Sequence, residues 1–196
     1  TEVFGTKMDM PIFLSPTAMQ SLYHPDGDKA SARAAEKFGT IYSMSTMASF
    51  SIEEIANLSS GPKIFQLYIH KDQSITDDLI DRCKRANFNG MCITVDTIVA
   101  GNRERDHRTG FTTPPKFTLD SLMSFAMRPQ WVFNYFTNKK FELANLKDKV
   151  EKGTNIAQSV MGYINEQYDP AMNWKDAEYC IKTVSYTHLR AHETIN

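Results

Sequence analysis

Four short apolar runs recur along the first half of the chain at intervals of roughly 25 residues, each followed by a stretch with helical spacing. They are Pro11-Ile12-Phe13-Leu14-Ser15-Pro16, Thr40 to Ser45, Lys63 to Ile69, and Met91 to Val95, the last entered through Gly90. After the first, His24-Pro25-Asp26-Gly27 predicts a turn, and Asp28 to Phe38 an alanine-rich helix closed by Gly39. After the second, Ser51-Ile52-Glu53-Glu54 predicts a helix opened by a capping box, in which Ser51 and Glu54 satisfy free backbone donors. After the third, a helix starting near Thr76 puts Leu79, Ile80, Cys83 and Ala86 on one face.

Short βα units in strict alternation predict parallel strands joined by right-handed crossovers. A doubly wound sheet and a (β/α)8 barrel both satisfy that pattern. The first usually carries a glycine-rich phosphate turn after its first strand, and none occurs here. A barrel takes about 250 residues, so four units in about the first 110 would form half of one, with its chemistry at the C-terminal ends of the strands. Polar residues gather at those ends: Ser15 and Thr17, Ser45 and Thr46, Gln66 and Tyr68, Thr94 and Asp96. Past Asp96 the chain runs into a charged segment, Arg103 to Arg108.

Beyond Phe111 the repeat stops. Residues 112 to about 167 read as one long loop, with Pro114-Pro115, Pro129 and a charged stretch from Lys139 to Lys152; such loops are usually lids or binding segments. A new helix, capped by Asn173, follows Tyr168-Asp169-Pro170. Leu122, Met123, Phe125, Met127, Trp131, Val132, Phe133, Tyr135 and Phe136 crowd one part of the loop. That patch suits either packing on the barrel or a neighbouring subunit, or lying in a membrane interface with its rings at headgroup depth.

Composition removes several classes. The 196 residues are 41% hydrophobic, enough for one sizeable core or two small ones, and the net charge of -1 with mixed signs gives no nucleic-acid footprint. Three widely spaced cysteines, Cys83, Cys92 and Cys180, suggest neither a disulfide framework nor a metal site and fit a reducing cytosol. No run of eighteen apolar residues predicts a transmembrane helix. The chain starts at Thr1 in mid-pattern and reads as a fragment. Residues 185–196 resemble a translated sequencing-adapter tail. His188 and His192 stand at a zinc-compatible spacing, but Asn196 occupies the place of a zincin's second histidine, so the tail is set apart from the fold.

The strand ends carry a resemblance. "SPTAMQSLYHPDGD", "SMSTMASFSIEEIA", "FQLYIHKD", "TVDTIVAGNRERDHRTGF" and "YDPAMNWKD" occur in the order found in FMN-dependent α-hydroxy-acid dehydrogenases and oxidases, a family that includes L-lactate dehydrogenase and glycolate oxidase. The match runs nearly to Val184; Val99 and Asn102 depart mildly from the commoner residues. It implies a (β/α)8 TIM barrel, of which this chain carries roughly the N-terminal half plus the long loop after strand 4, covering residues 1–184 with both ends truncated.

By resemblance, Pro16, Thr17 and Ala18 form the segment whose backbone lies against the isoalloxazine ring, and Ser45, Gln66 and Thr94 bind the flavin's polar edge. Hydroxyls and an amide supply the mixture of donors and acceptors that such an edge needs. Tyr68 resembles the tyrosine that hydrogen-bonds the substrate hydroxyl, and Arg103 the arginine that supports the carboxylate. Asp96 resembles the aspartate that orients the active-site histidine and stabilises its imidazolium. Read alone, Gln66 and Tyr68 could be a satisfied strand end, Asp96 a turn cap and Arg103 to Arg108 a solvated loop. The ordered motifs favour the functional reading of Gln66, Tyr68, Asp96 and Arg103. Glu104, Arg105 and Arg108 read as structural ion pairs, and His70 and His107 as surface residues. His24, His70 and His107 do not match the family's histidine, which belongs to a later strand, as do a flavin-binding lysine and a second substrate arginine.

The resemblance thus implies oxidation of an L-2-hydroxy acid with FMN as cofactor. L-Lactate is favoured by "MRPQWVFNYFTN", which resembles the loop of respiratory L-lactate dehydrogenases. Electrons would pass to a quinone or cytochrome, with a soluble oxidase using oxygen, or a non-catalytic flavin-binding barrel, as alternatives. The full-length parent is expected to be a homo-oligomer, cytoplasmic or peripheral on the inner face of the cell membrane. The chain alone, lacking the base, is expected to turn nothing over.

Overall fold

A computed structural model describes residues 1–3, 5–95, 104, 108, 118–138, 142–147, 169, 171–184 and 189–192, with backbone alone at 120 and 189–192. A small antiparallel hairpin, β1 (Glu2–Val3) and β2 (Thr6–Lys7), precedes the first apolar run. That run is not a full strand. Leu14 alone bridges Tyr42 in parallel, while Ile12 and Phe13 are exposed. Pro11 and Pro16 lack the backbone N–H a ladder requires, which limits pairing at both ends of the run.

The repeating units follow as expected. A 3-10 turn, Gln20–Leu22, leads to α1 (Gly27–Lys37), then β3 (Tyr42–Ser45), α2 (Ile52–Leu58), β4 (Lys63–Leu67), α3 (Gln73–Arg85) and β5 (Gly90–Thr94). The capping box on α2 is present: Glu54 N–H donates to Ser51 Oγ, and Ser51 N–H donates to the Glu54 carboxylate. Asp72 caps α3 through Ser74 N–H, a turn earlier than the spacing predicts. Gly39, at φ +61, ends the α1 unit where an L side chain would be strained.

Strands β3, β4 and β5 pair in parallel in chain order, and Leu14 extends that order by one position. Among the described residues each strand of this sheet lies beside its predecessor and the winding does not reverse, as in part of a (β/α)8 barrel; a doubly wound sheet reverses at its switch point. Leu189–His192 (β6) pairs in parallel with β5. The segment set apart as a tail therefore occupies the next strand position, where the edge of β5 offers unpaired backbone groups to whichever extended segment reaches it.

Side chains alternate across the sheet. Tyr42, Met44, Phe65, Leu67, Met91 and Ile93 join Ala32, Ala35, Ile55, Ile75, Leu79, Ile80 and Cys83 in one continuous core between sheet and helices. Phe65 and Phe88 meet edge to face at 6.2 Å. The opposite side of the sheet carries Ser43, Ser45, Gln66, Cys92 and Thr94. At its N-terminal mouth Met8, Ile41 and Ile64 form a smaller cluster against Val3 of the hairpin.

The stretch expected to be a long loop contains two helices, α4 (Leu119–Ala126) and α5 (Pro129–Thr137). Thr118 and Ser121 cap the first, and Pro129 opens the second at a position where its missing N–H costs nothing. Finally α6 (Trp174–Thr183) begins at the predicted Asn173 cap, with Asp176 completing a capping box.

Candidate active site

Three of the predicted residues are brought together by strand register. Ser45 lies opposite Gln66 in the β3–β4 ladder, and β5 carries Thr94 just past the partner of Leu67. Ser45 Oγ donates to Gln66 Oε1 at 3.2 Å, and Gln66 Nε2 donates to Thr94 Oγ1 at 2.7 Å. Thr46 N–H also donates to Gln66 Oε1, at 3.3 Å, and Met47 N–H to Ser45 Oγ, at 3.2 Å. All three side chains are buried. Gln66 is the centre of this network: both ends of its amide are engaged, which fixes its orientation.

The donor set fits the polar edge of a flavin. After the internal bonds, Gln66 keeps one N–H and Thr94 keeps its hydroxyl hydrogen, two donors suited to carbonyl oxygens, while the threonine oxygen keeps acceptor capacity for a ring N–H. A purely hydrophobic or purely anionic lining would not meet that edge.

The predicted Pro16-Thr17-Ala18 segment sits beside this row. Met19 N–H donates to Met47 O at 3.0 Å, binding the segment to the turn that follows Ser45. Thr17 is exposed, Pro16 and Ala18 half-buried, and Gln20 Nε2 donates to Thr17 O at 3.3 Å. Met19 holds a left-handed conformation at φ 55, uncommon for a residue with a side chain. Tyr68 is half-buried just beyond β4, and its N–H donates to Thr46 Oγ1 at 3.3 Å. Thr46 Oγ1 in turn donates to Gln66 O at 2.6 Å. The structure therefore gathers Pro16, Thr17, Ala18, Ser45, Gln66, Tyr68 and Thr94 at the C-terminal ends of successive strands. Asp96 and Arg103 lie outside the described residues, as do Arg105 and His107. Glu104 and Arg108 form an exposed ion pair one helical turn apart, at 3.2 Å.

His70 is a correction. It was expected at the surface but is 1% exposed. Its N–H donates to Thr76 Oγ1 at 3.1 Å, so the loop after β4 folds under α3. Burial holds its imidazole at about 4, against weaker opposing pulls from Asp72 and the Tyr68 backbone.

Two features were not visible in the sequence. Asp28, in the first turn of α1, is fully buried, and burial raises its carboxyl above the ordinary range despite bonds from Ser49 and Tyr42. Arg82 grips Glu53 through two bonds, at 2.7 and 2.8 Å, and reaches Asn145 O and Oδ1, joining α2, α3 and residues 142–147. The Glu53 carboxyl is thereby held down at about 2. A cavity of about 460 Å³ lined by Ser59, Gly61, Lys63, Asn87 and Asn89 opens at the N-terminal ends of the strands. It is far from this chemistry.

Partial barrel winding puts a hydrogen-bonded polar row at the C-terminal strand ends, the face on which barrels of this kind carry their sites. The profile of the FMN-dependent dehydrogenase family matches residues 1–188, and the chain belongs to that family. Glycolate oxidase 1 of Zea mays is 37% identical over 179 residues, 91% of this chain and 42% of that protein. The glycolate oxidase of Spinacia oleracea matches with the same identity and coverage. The chain thus spans about two fifths of the length of these curated relatives. Among solved structures, monotopic membrane (S)-mandelate dehydrogenase superposes with a TM-score of 0.88 at 26% identity, over 100% of this chain and 51% of that one. A mandelate oxidase gives a TM-score of 0.72 at 28% identity, over 100% of this chain and 48% of that one. Family membership specifies FMN as the cofactor.

Proposed function

We propose that the protein containing this chain oxidises a small L-2-hydroxy acid, L-lactate first, to the corresponding 2-oxo acid. The observation that carries the reading is the buried Ser45–Gln66–Thr94 row within a family match spanning 1–188. When bound, FMN supplies the two-electron acceptor. The residues of this chain bind and orient. Gln66 and Thr94 hold the polar edge of the ring, and the backbone of Pro16 to Ala18 supports it. Tyr68 positions the substrate hydroxyl, Arg103 holds its carboxylate, and Asp96 keeps the catalytic imidazole in the tautomer that takes a proton. Residues 185–196, beginning within the last few residues of the family match, are read as a non-native tail.

The test is anaerobic bleaching of the flavin absorbance in the full-length protein by L-lactate, glycolate and (S)-mandelate. L-Lactate is expected to bleach it fastest; no bleaching by any of the three overturns the reading. Asp96→Asn should lower kcat far more than it raises KM, while Arg103→Lys should harm both, because a point charge cannot replace a guanidinium fork. Equal, small effects from both would refute these roles.

The acceptor is the finer question. Exposed Leu119, Met123, Met127, Phe133 and Phe136 on α4, α5 and the turn between them support a quinone- or cytochrome-linked enzyme lying against the inner face of the membrane. No helix among the described residues is long and apolar enough to cross a membrane. Identity to glycolate oxidases favours a second reading, an oxidase using oxygen on glycolate. Flotation with anionic liposomes and the ratio of quinone reduction to oxygen consumption separate the two.

A further inference from the structure

One buried carboxylate beside the site takes no part in the proposed reaction. Asp28 stands in the first turn of α1 with no exposed surface. Tyr42 Oη donates to Oδ1 at 3.0 Å, and Ser49 N–H donates to Oδ2 at 2.9 Å. Ser49 Oγ accepts from Ser21 N–H at 3.1 Å, and Met47 O accepts from Met19 N–H at 3.0 Å. A chain of bonds therefore runs from the buried carboxylate through the 46–50 turn to residues 19–21, immediately after Pro16-Thr17-Ala18. Gly27 reinforces the contact from the other side. Its φ is +37, and a Cβ there would lie 2.9 Å from Ser21 N. The start of α1 is pressed against the rim as closely as a backbone allows.

We propose that Asp28 is a positioning residue, whose carboxylate fixes the 46–50 turn and, through Ser49, the Pro16–Leu22 rim in the geometry that receives the flavin. The proposal rests on the flavin reading of Pro16 to Ala18, Ser45, Gln66 and Thr94 given above. Chemistry explains the residue type. Tyr42 and Ser49 donate to different oxygens, and a carboxylate on one methylene offers both as acceptors; asparagine offers one and turns a donor toward the other. The charge is no gift to stability, since a buried carboxylate held by neutral donors loses more in desolvation than an apolar residue would. Its elevated pKa reflects that loss. What it supplies is a fixed geometry.

The experiment uses the full-length protein with FMN and compares Asp28→Asn with Ile80→Val, a core change in α3, outside both the turn and the rim in the chain. Asp28→Asn should raise the FMN Kd about tenfold, the effect of one strained or lost hydrogen bond in the network, with an apo-protein Tm no lower than that of Ile80→Val. Ile80→Val should leave the Kd unchanged. Gly27→Ala, which pushes on Ser21 directly, should raise the Kd in the same way. A Kd shift for Asp28→Asn no greater than that of Ile80→Val overturns the proposal. If Asp28→Asn does not fold, Ser49→Ala carries the same criterion, because it cuts the link to Ser21 and spares the bond from Ser49 N–H to Asp28. Gln66→Ala and Ser45→Ala keep the two failures apart. If neither weakens FMN, the flavin reading falls; if both do and Asp28→Asn does not, the positioning role alone falls.

Discussion

Helix α3 and the α4–α5 pair carry apolar residues at similar helical spacing and meet opposite fates. In α3, Ile75, Leu79, Ile80 and Cys83 are all buried against the sheet. In α4, α5 and the turn between them, Leu119, Leu122, Met123, Met127, Phe133, Tyr135 and Phe136 remain exposed, and no residue of α5 is buried. The difference lies in the partner. A crossover helix is delivered onto a sheet by its two flanking parallel strands, whereas the pair has no strand among the described residues to lie on. Among the described residues Trp131 ties it to the rest of the chain. The ring stacks between Phe125 at 5.5 Å and Tyr135 at 5.2 Å, and Nε1 donates to Leu22 O at 2.9 Å. Trp131 is therefore a tether to the rim of the site and not part of the outward apolar face.

The sharpest way to break the comparison is to remove a side chain from each region. Leu79→Ala should destabilise the intact protein by about 2–5 kcal/mol, measured by urea denaturation, because a fully buried side chain leaves a cavity in a packed layer. A loss near zero would mean that α3 is held otherwise. Next in size is Trp131→Phe, which keeps a ring and removes the donor. It should cost about 1 kcal/mol and speed proteolysis near Pro129 without changing liposome flotation, since its face is inward. Lost flotation would put Trp131 back on the docking surface.

A smaller, pH-dependent effect belongs to His70. Its folded-state pKa, about 4, lies below the ordinary 6.5, so the unfolded chain takes up a proton first as pH falls. Its contribution is complete above pH 6.5 and is lost between there and about 4. His70→Gln should flatten that part of the pH–stability curve; an unchanged slope would refute the burial argument. The smallest stability change is expected from Met127→Ser, Phe133→Ser and Phe136→Ser combined, within about 0.5 kcal/mol per site, because these side chains are already in solvent. The same triple change should abolish flotation if the face meets a membrane, and a variant that floats like the parent ends that reading.

Much of this was legible along the chain. The caps at Ser51 and Asn173, the Gly39 stop and the βα alternation depend on neighbours a few residues apart, and each appears where the local pattern puts it. Ser45, Gln66 and Thr94 were legible as a set, because polar residues at the ends of successive apolar runs share a sheet end when the runs are parallel. The first run misled, since its prolines deny most of the pairing that its apolar residues suggest. His70 misled too: nothing local shows that the loop beyond β4 turns inward to Thr76.

Local periodicity and end signals, then, determined which segments are helices and strands, and the order of the strand-end residues determined which ones share a face. The tertiary structure alone decided what that face looks like. Parallel register put Gln66 between Ser45 and Thr94, and packing of α1 on the 46–50 turn buried Asp28, which its place in a helix's first turn would otherwise suggest is solvated. Contact across 20 or more residues is set by how elements dock, and a helix's sequence specifies which face is apolar but not what will cover it. For that reason α3 and the α4–α5 pair could be recognised as helices of similar pattern, while only the fold could separate the one that is core from the one that is surface.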